Sequence, residues 1–164
     1  MSEDQTTQKV IRCRRFSQDK EVKAQVNERY HTNVAKEELL LEHVRQFEKQ
    51  FLTVYGERFL FLCPPNEFDL PKFLPTTLRP THLAYRELYD FQSCALFLAD
   101  FLNYEYLQPP NRYPHVIPSP ASVIQWRAGD CFDFSTVLCS LLLGVGYDAY
   151  CVSGFAPRYV TLRN

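Results

Sequence analysis

The stretch Trp126–Phe155, WRAGDCFDFSTVLCSLLLGVGYDAYCVSGF, constrains the fold more than any other part of the chain. Its apolar residues Phe134, Val137, Leu138, Leu141, Leu142 and Val145 recur at spacings of three and four, which predicts a helix from about Cys131 to Leu143 with one broad buried face. Asp130 has the side chain of an N-cap, and Asp133 places a second carboxylate in the first turn, where the unpaired amides and the positive helix end favour it. Gly144 and Gly146 are expected to stop the helix, because helix ends commonly need a left-handed residue. Before it, Gly129 suits either a positive φ or a close backbone approach. After it, Tyr147–Phe155 is aromatic and branched with partial alternation, which predicts a strand packed back on the helix.

Cys131 is the chemical point of this stretch. A thiol at a helix N-terminus has its thiolate stabilised by the dipole and the orphan amides, which is the setting of a nucleophile; a structural cysteine at a helix start is the other reading. Cys139, deeper on the same helix, reads as a small core residue. A cysteine nucleophile also needs a base and a group to orient that base. All four histidines, His31, His43, His82 and His115, precede Cys131. His115, between Pro114 and Pro118, is the one candidate base, set against a plainer role as a solvent-facing loop residue. Asp130 and Asp133 fit helix-start carboxylates better than catalytic orienters.

Upstream, Met1–Ser17 reads as a disordered N-terminus. Residues 18–56 form a helical extension: an intermittent stripe from Val22 to Phe51, with Thr32 or Asn33 able to cap a second helix that carries Leu40, Val44, Phe47 and Phe51. Residues 57–86 make a proline-rich strap. Pro64, Pro65, Pro71, Pro75 and Pro80 hold it extended, and Phe68 and Phe73 are expected to anchor it. Within it, Glu57–Cys63 fits either a short strand or a helix end. Residues 87–164 carry the remaining elements. Glu87–Leu102 is helical by its spacing, and Ser119-Pro120 starts a short helix that runs to about Arg127. Tyr159–Arg163 looks like the start of a further strand.

Composition narrows the function classes. The chain is 46% hydrophobic and 23% charged, so a packed core is available to it, while a net charge of −1 argues against an electrostatic nucleic-acid binder. The six cysteines form no C-x-x-C pair and no His stands at ligand spacing, so no zinc site and no cofactor is expected. The start MSEDQTTQKV lacks an apolar signal core, which points to free thiols in a reducing compartment. Val137–Val145, the most apolar run, is too short to span a bilayer, so no membrane partner is expected.

Two resemblances rest on these residues. R-x-G-x-C-x-x-F with G-Y-D-A-Y-x-V-x-G-F, at Arg127, Gly129, Cys131, Phe134, Gly146, Tyr150, Val152, Gly154 and Phe155, resembles the core of the transglutaminase-like superfamily, with Phe132 where animal members often have Trp. That implies an α+β fold: a partial transglutaminase-like core, with a central helix on a few antiparallel strands, behind a helical N-terminal extension. The family's His and Asp follow the cysteine and match no position here, so Cys131 is expected to be a vestigial nucleophile and the chain not to be an enzyme. The alternative is a cysteine-dependent enzyme whose triad is completed beyond residue 164. More closely, ERFLFLCPPNEFDLPKFLPTTLRPT, ELYDFQSCALFLADFL and CFDFSTVLCSLLLGVGYDAYCVSG resemble a family of subunits of the ciliary nexin–dynein regulatory complex. This resemblance implies a structural, regulatory component of the cilium or flagellum axoneme and cytoskeleton. Its implied partners are other subunits of that complex and axonemal doublet microtubules.

Overall fold

The computed structural model describes residues 30–107, 110 and 112–154. In chain order the elements are α1 (Ala35–Val54), α2 (Leu74–Thr77), a 3-10 turn (Arg86–Tyr89), α3 (Phe91–Phe101), β1 (Asn103–Tyr104), α4 (Pro120–Trp126), β2 (Ala128–Gly129) and α5 (Cys131–Val145). The expected elements over Met1–Arg29 and Tyr159–Arg163 lie outside the described residues.

The core is where α3, α4 and α5 meet. Cys94, Leu98 and Leu102 from the α3 region, Val123 from α4 and Val137 and Leu141 from α5 are buried together, flanked by Phe97, Phe101, Phe134 and Leu138. Removing each large aliphatic side chain from water contributes about 1.5–3 kcal/mol, so this cluster holds the three helices together.

Local signals set the helix ends. The Asp130 carboxylate accepts from the amides of Phe132 (2.9 Å) and Asp133 (3.2 Å), while Asp133 reaches back to the Asp130 amide (3.0 Å). This reciprocal cap fixes the first turn of α5. At the other end Gly146 takes φ 99°, the left-handed cap, but Gly144 lies inside the helix and does not stop it. A Cβ on Gly144 would meet the backbone of Thr81, at 2.6 Å from its carbonyl carbon and closer still to its oxygen. Gly144 is therefore a crossing point, where the end of the strap lies on α5 and the Thr81 amide donates to the Ser140 carbonyl (3.0 Å). Gly129 likewise serves close approach and not a positive φ, since a Cβ there would sit 2.6 Å from that of Asp133. The left-handed residue in that turn is Arg127, at φ 54°.

α4 starts as expected, with Ser119 as cap and Pro120 in the first turn. α3 starts at Phe91 and not Glu87, because the Asp90 carboxylate caps the Ser93 amide (3.0 Å) and the preceding residues form the 3-10 turn. In α1 neither Thr32 nor Asn33 is the cap. The helix begins after Val34, whose amide is held by the Glu37 carboxylate (3.2 Å), and Asn33 instead donates to the Pro71 carbonyl (3.5 Å).

The strap is less uniform than its prolines suggest, since it contains the helical turn α2 and a tight loop at Asp69, φ 63°. The Asn66 side chain closes that loop by accepting from the amides of Phe68 (2.9 Å) and Leu70 (3.0 Å). Glu57–Cys63 forms neither strand nor helix. Glu67 fastens the strap to the core: its carboxylate accepts from the Ser119 amide (3.0 Å) and from the hydroxyls of Ser119 (2.6 Å) and Ser122 (2.7 Å) at the start of α4. Lys72, buried, donates to Glu37 of α1 (3.0 Å), and Arg79 reaches the same carboxylate (3.4 Å).

The sheet departs from expectation. The architecture is α+β, but among the described residues the strands are one two-residue parallel pair, Asn103 with Ala128 and Tyr104 with Gly129, and not a few antiparallel strands. Residues 147–154 form no strand, and Tyr150 and Val152 are 83% and 93% exposed. A pleated apolar run becomes a strand only when a neighbour satisfies its amides and carbonyls, and no described strand pairs with this one. The described elements thus do not build the sheet of a transglutaminase-like core.

Candidate functional site

Cys131 stands at the first position of α5, as its sequence context predicts, with its side chain exposed. It opens onto a cleft of about 260 Å³ whose walls come from distant parts of the chain: Phe61 and Leu78 from the strap, Ile117 from the loop before α4, Phe132 and Thr136 from α5, and Cys151–Gly154. An aromatic cluster closes one side. Phe61 stacks on Tyr113 at 4.7 Å between centroids, and both rings meet the edge of Phe132, at 6.2 and 5.9 Å. This explains Phe132 locally: it is a packing ring between α5 and the strap.

The thiol is tuned in the direction opposite to a nucleophile's. Burial pushes its pKa up, the negative charge of Asp130 pushes the same way, and the amides of Phe132 and Cys131, which lower it, do not compensate; Asp133 adds a further upward push. The amides of Phe132 and Asp133 also donate to the Asp130 carboxylate, which weakens the help the helix end gives a thiolate. The hydroxyl beside the sulfur belongs to Tyr104, itself pushed up by burial and by Cys131, Asp130 and Tyr106. β1 delivers this tyrosine by pairing with Gly129, two residues before Cys131.

Among the described residues, no histidine lines the cleft. The loop of His115 is not solvent-facing, since Val116, Ile117, Pro118 and Ser119 are buried and the Ile117 amide donates to the Pro65 carbonyl (3.0 Å). His115 is half-buried there, and its Nδ1 has no hydrogen-bond partner among the described residues. His31 lies on Phe68 with centroids 3.8 Å apart, and His43 flanks a separate groove beside Leu39 and Leu40 of α1. Asp130 and Asp133 act on each other's amides as a cap.

Among the described residues, no group of three or more His, Cys, Asp or Glu is placed to hold a metal ion, and no helix is long and apolar enough to cross a membrane. Cys63, Cys94, Cys131, Cys139 and Cys151 are free thiols. Two residues of the site escaped sequence reasoning, Tyr104 and Cys151. Both reach it through contacts far apart in sequence, for which local pattern carries no signal.

Chemically, then, the site is a partly apolar cleft beside a capped helix, with a thiol pushed toward its protonated form. It defines a helical α+β packing unit with a surface groove. No family model matches the chain. It is similar to "Dynein regulatory complex subunit 7" of Xenopus tropicalis, at 50% identity over 82% of this chain and 16% of that protein. The protein of the same description from Chlamydomonas reinhardtii is 50% identical over 75% of this chain and 11% of its own length. "Coiled-coil domain-containing protein lobo" of Drosophila melanogaster is 40% identical over 82% of this chain and 15% of its own length. The chain thus spans less than a fifth of the length of these curated relatives.

Proposed function

We propose that the chain serves as a non-catalytic structural and regulatory part of the axonemal nexin–dynein regulatory complex, and so supports ciliary and flagellar motility, including that of sperm. The observation that carries this reading is identity of 50% to a dynein regulatory complex subunit of an alga and of a frog, over three quarters or more of the chain. The site supports it: burial and the charge of Asp130 push the Cys131 thiol toward its protonated form.

In this reading the partners are other subunits of the complex and doublet microtubules. They dock on α1 and on the strap over 57–86, with the packed helices α3, α4 and α5 as the body. α1 supports this assignment because it presents Leu39, Phe47 and Leu52 to solvent, about half exposed each. The test is fractionation of ciliated cells expressing a tagged copy. Co-sedimentation with demembranated axonemes, lost when Leu39 and Phe47 are both changed to Ser, is the expected result. Recovery of the intact chain wholly in the detergent-soluble fraction refutes the reading.

A further inference from the structure

The cleft brings a second sulfur to α5. Cys151 is exposed, and its Sγ donates to the Ser135 carbonyl at 3.3 Å. In a helix that carbonyl faces the amide four residues on, which is that of Cys139, and helical side chains lean back toward the preceding turn. Cys151 therefore lies over the turn onto which the Cys139 side chain leans, near enough for the Cys139 thiol to raise the pKa of Cys151. Cys139 is 4% exposed, whereas Cys151 is exposed.

We propose that Cys139 and Cys151 are a disulfide-forming pair, a thiol modification site that fastens the 147–154 segment to α5. With glutathione disulfide as the oxidant, the Cys151 thiol gives its proton to solvent and its sulfur attacks one glutathione sulfur, expelling the other as a thiolate that takes up a proton. The Cys139 sulfur, likewise deprotonated, then attacks the Cys151 sulfur of the mixed disulfide. The protein S–S bond forms, and the second glutathione leaves and is protonated. Two protein thiols are oxidised and one glutathione disulfide is reduced to two glutathiones.

Proximity favours the intramolecular product at equilibrium, whereas thiolate supply sets the rate. Burial and the neighbouring Cys139 push the Cys151 thiol up to about 12, so closure is slow near neutral pH. The reduced segment is tied to α5 by the Tyr147 amide, which donates to the Leu142 carbonyl (3.0 Å), and further along by the weak sulfur hydrogen bond of Cys151, while most of its side chains stand in solvent. Oxidation would replace that weak tie with a covalent one, at a surface next to the Cys131 cleft.

The test is equilibration of the 164-residue chain with oxidised glutathione, alkylation of the remaining thiols, and cleavage on the N-terminal side of aspartate. Cuts before Asp130, Asp133 and Asp148 put Cys131, Cys139 and Cys151 on three separate peptides. The expected product links the Cys139 and Cys151 peptides, persists in Cys131→Ser, disappears in Cys151→Ser, and slows chymotryptic cutting at Tyr150 several-fold. Cys151 recovered only as a glutathione adduct overturns the proposal. So does a Cys131–Cys151 link, or equal protection of Tyr150 in Cys151→Ser.

Discussion

Replacing Gly144 with alanine tests whether the strap is seated rigidly on α5. In an unobstructed helix interior this change stabilises by about 1 kcal/mol, since alanine loses less backbone entropy. Here the added methyl would lie 2.6 Å from the Thr81 carbonyl carbon and 2.9 Å from its nitrogen, and all of the nearest atoms are backbone. Carbon–carbon contacts settle near 3.5–4.0 Å, so the strap must retreat by about an ångström. Such overpacking costs roughly 1–3 kcal/mol, and the retreat also strains the 3.0 Å bond from the Thr81 amide to Ser140, worth about 1 kcal/mol. The steric and hydrogen-bond losses outweigh the propensity gain, for a net destabilisation of about 1–3 kcal/mol. Each kcal/mol lowers the midpoint by roughly 2–4 °C for a chain of this size. Thermal unfolding followed by far-ultraviolet circular dichroism reads the shift directly. A Gly144→Ala protein that melts at or above the parent temperature would refute the reasoning, because the strap would then yield without cost.

Two further outcomes follow from the charges. Asp130→Asn keeps a capping oxygen but removes the negative charge beside Cys131, so helix stability should change by only a few tenths of a kcal/mol while the thiol becomes more acidic. Iodoacetamide should label Cys131 in the parent more slowly than free cysteine and in the variant faster than in the parent; equal rates in both proteins would remove Asp130 as a cause. For Glu37, burial raises the pKa, but the hydrogen bond from Lys72, the Val34 amide and the charges of Lys72 and Arg79 outweigh it, so the folded value lies below the ordinary one. Its contribution is present above the ordinary glutamate pKa and is lost as pH falls through the depressed folded value. Glu37→Gln should therefore lower urea stability at neutral pH by about 1 kcal/mol, and the difference should shrink in acid. A deficit that is the same at both pH values would contradict this.

Where function and fold were legible in the sequence, the determinants were local. Asp130 with Asp133, and Ser119 followed by Pro120, announce their helix starts because a cap bonds to amides two or three residues away. The position of Cys131 followed from the same signals, but its tuning did not, since one carboxylate both occupies the helix-end amides and sets its charge against the thiolate. Gly144 was misread as a stop because a helical glycine looks the same whether it ends a helix or admits Thr81 across it. The 147–154 stretch has a strand's residues without a strand's neighbour, and pairing is a property of two segments. The resemblance to dynein regulatory complex subunits rests on long phrases of sequence, a signal that periodicity and composition do not carry.

Glu67 and Ser119 meet across 52 positions of chain. A tether of that span is insensitive to small changes in the loop it closes, because the closure entropy grows only logarithmically and doubling the loop adds about 0.6 kcal/mol. The stretch between α3 and α4 can accordingly lengthen during evolution without loosening the latch. The same separation makes the latch a non-local contact, whose closure entropy must be met before it contributes, so it weighs on the folding rate more than the local helix caps do.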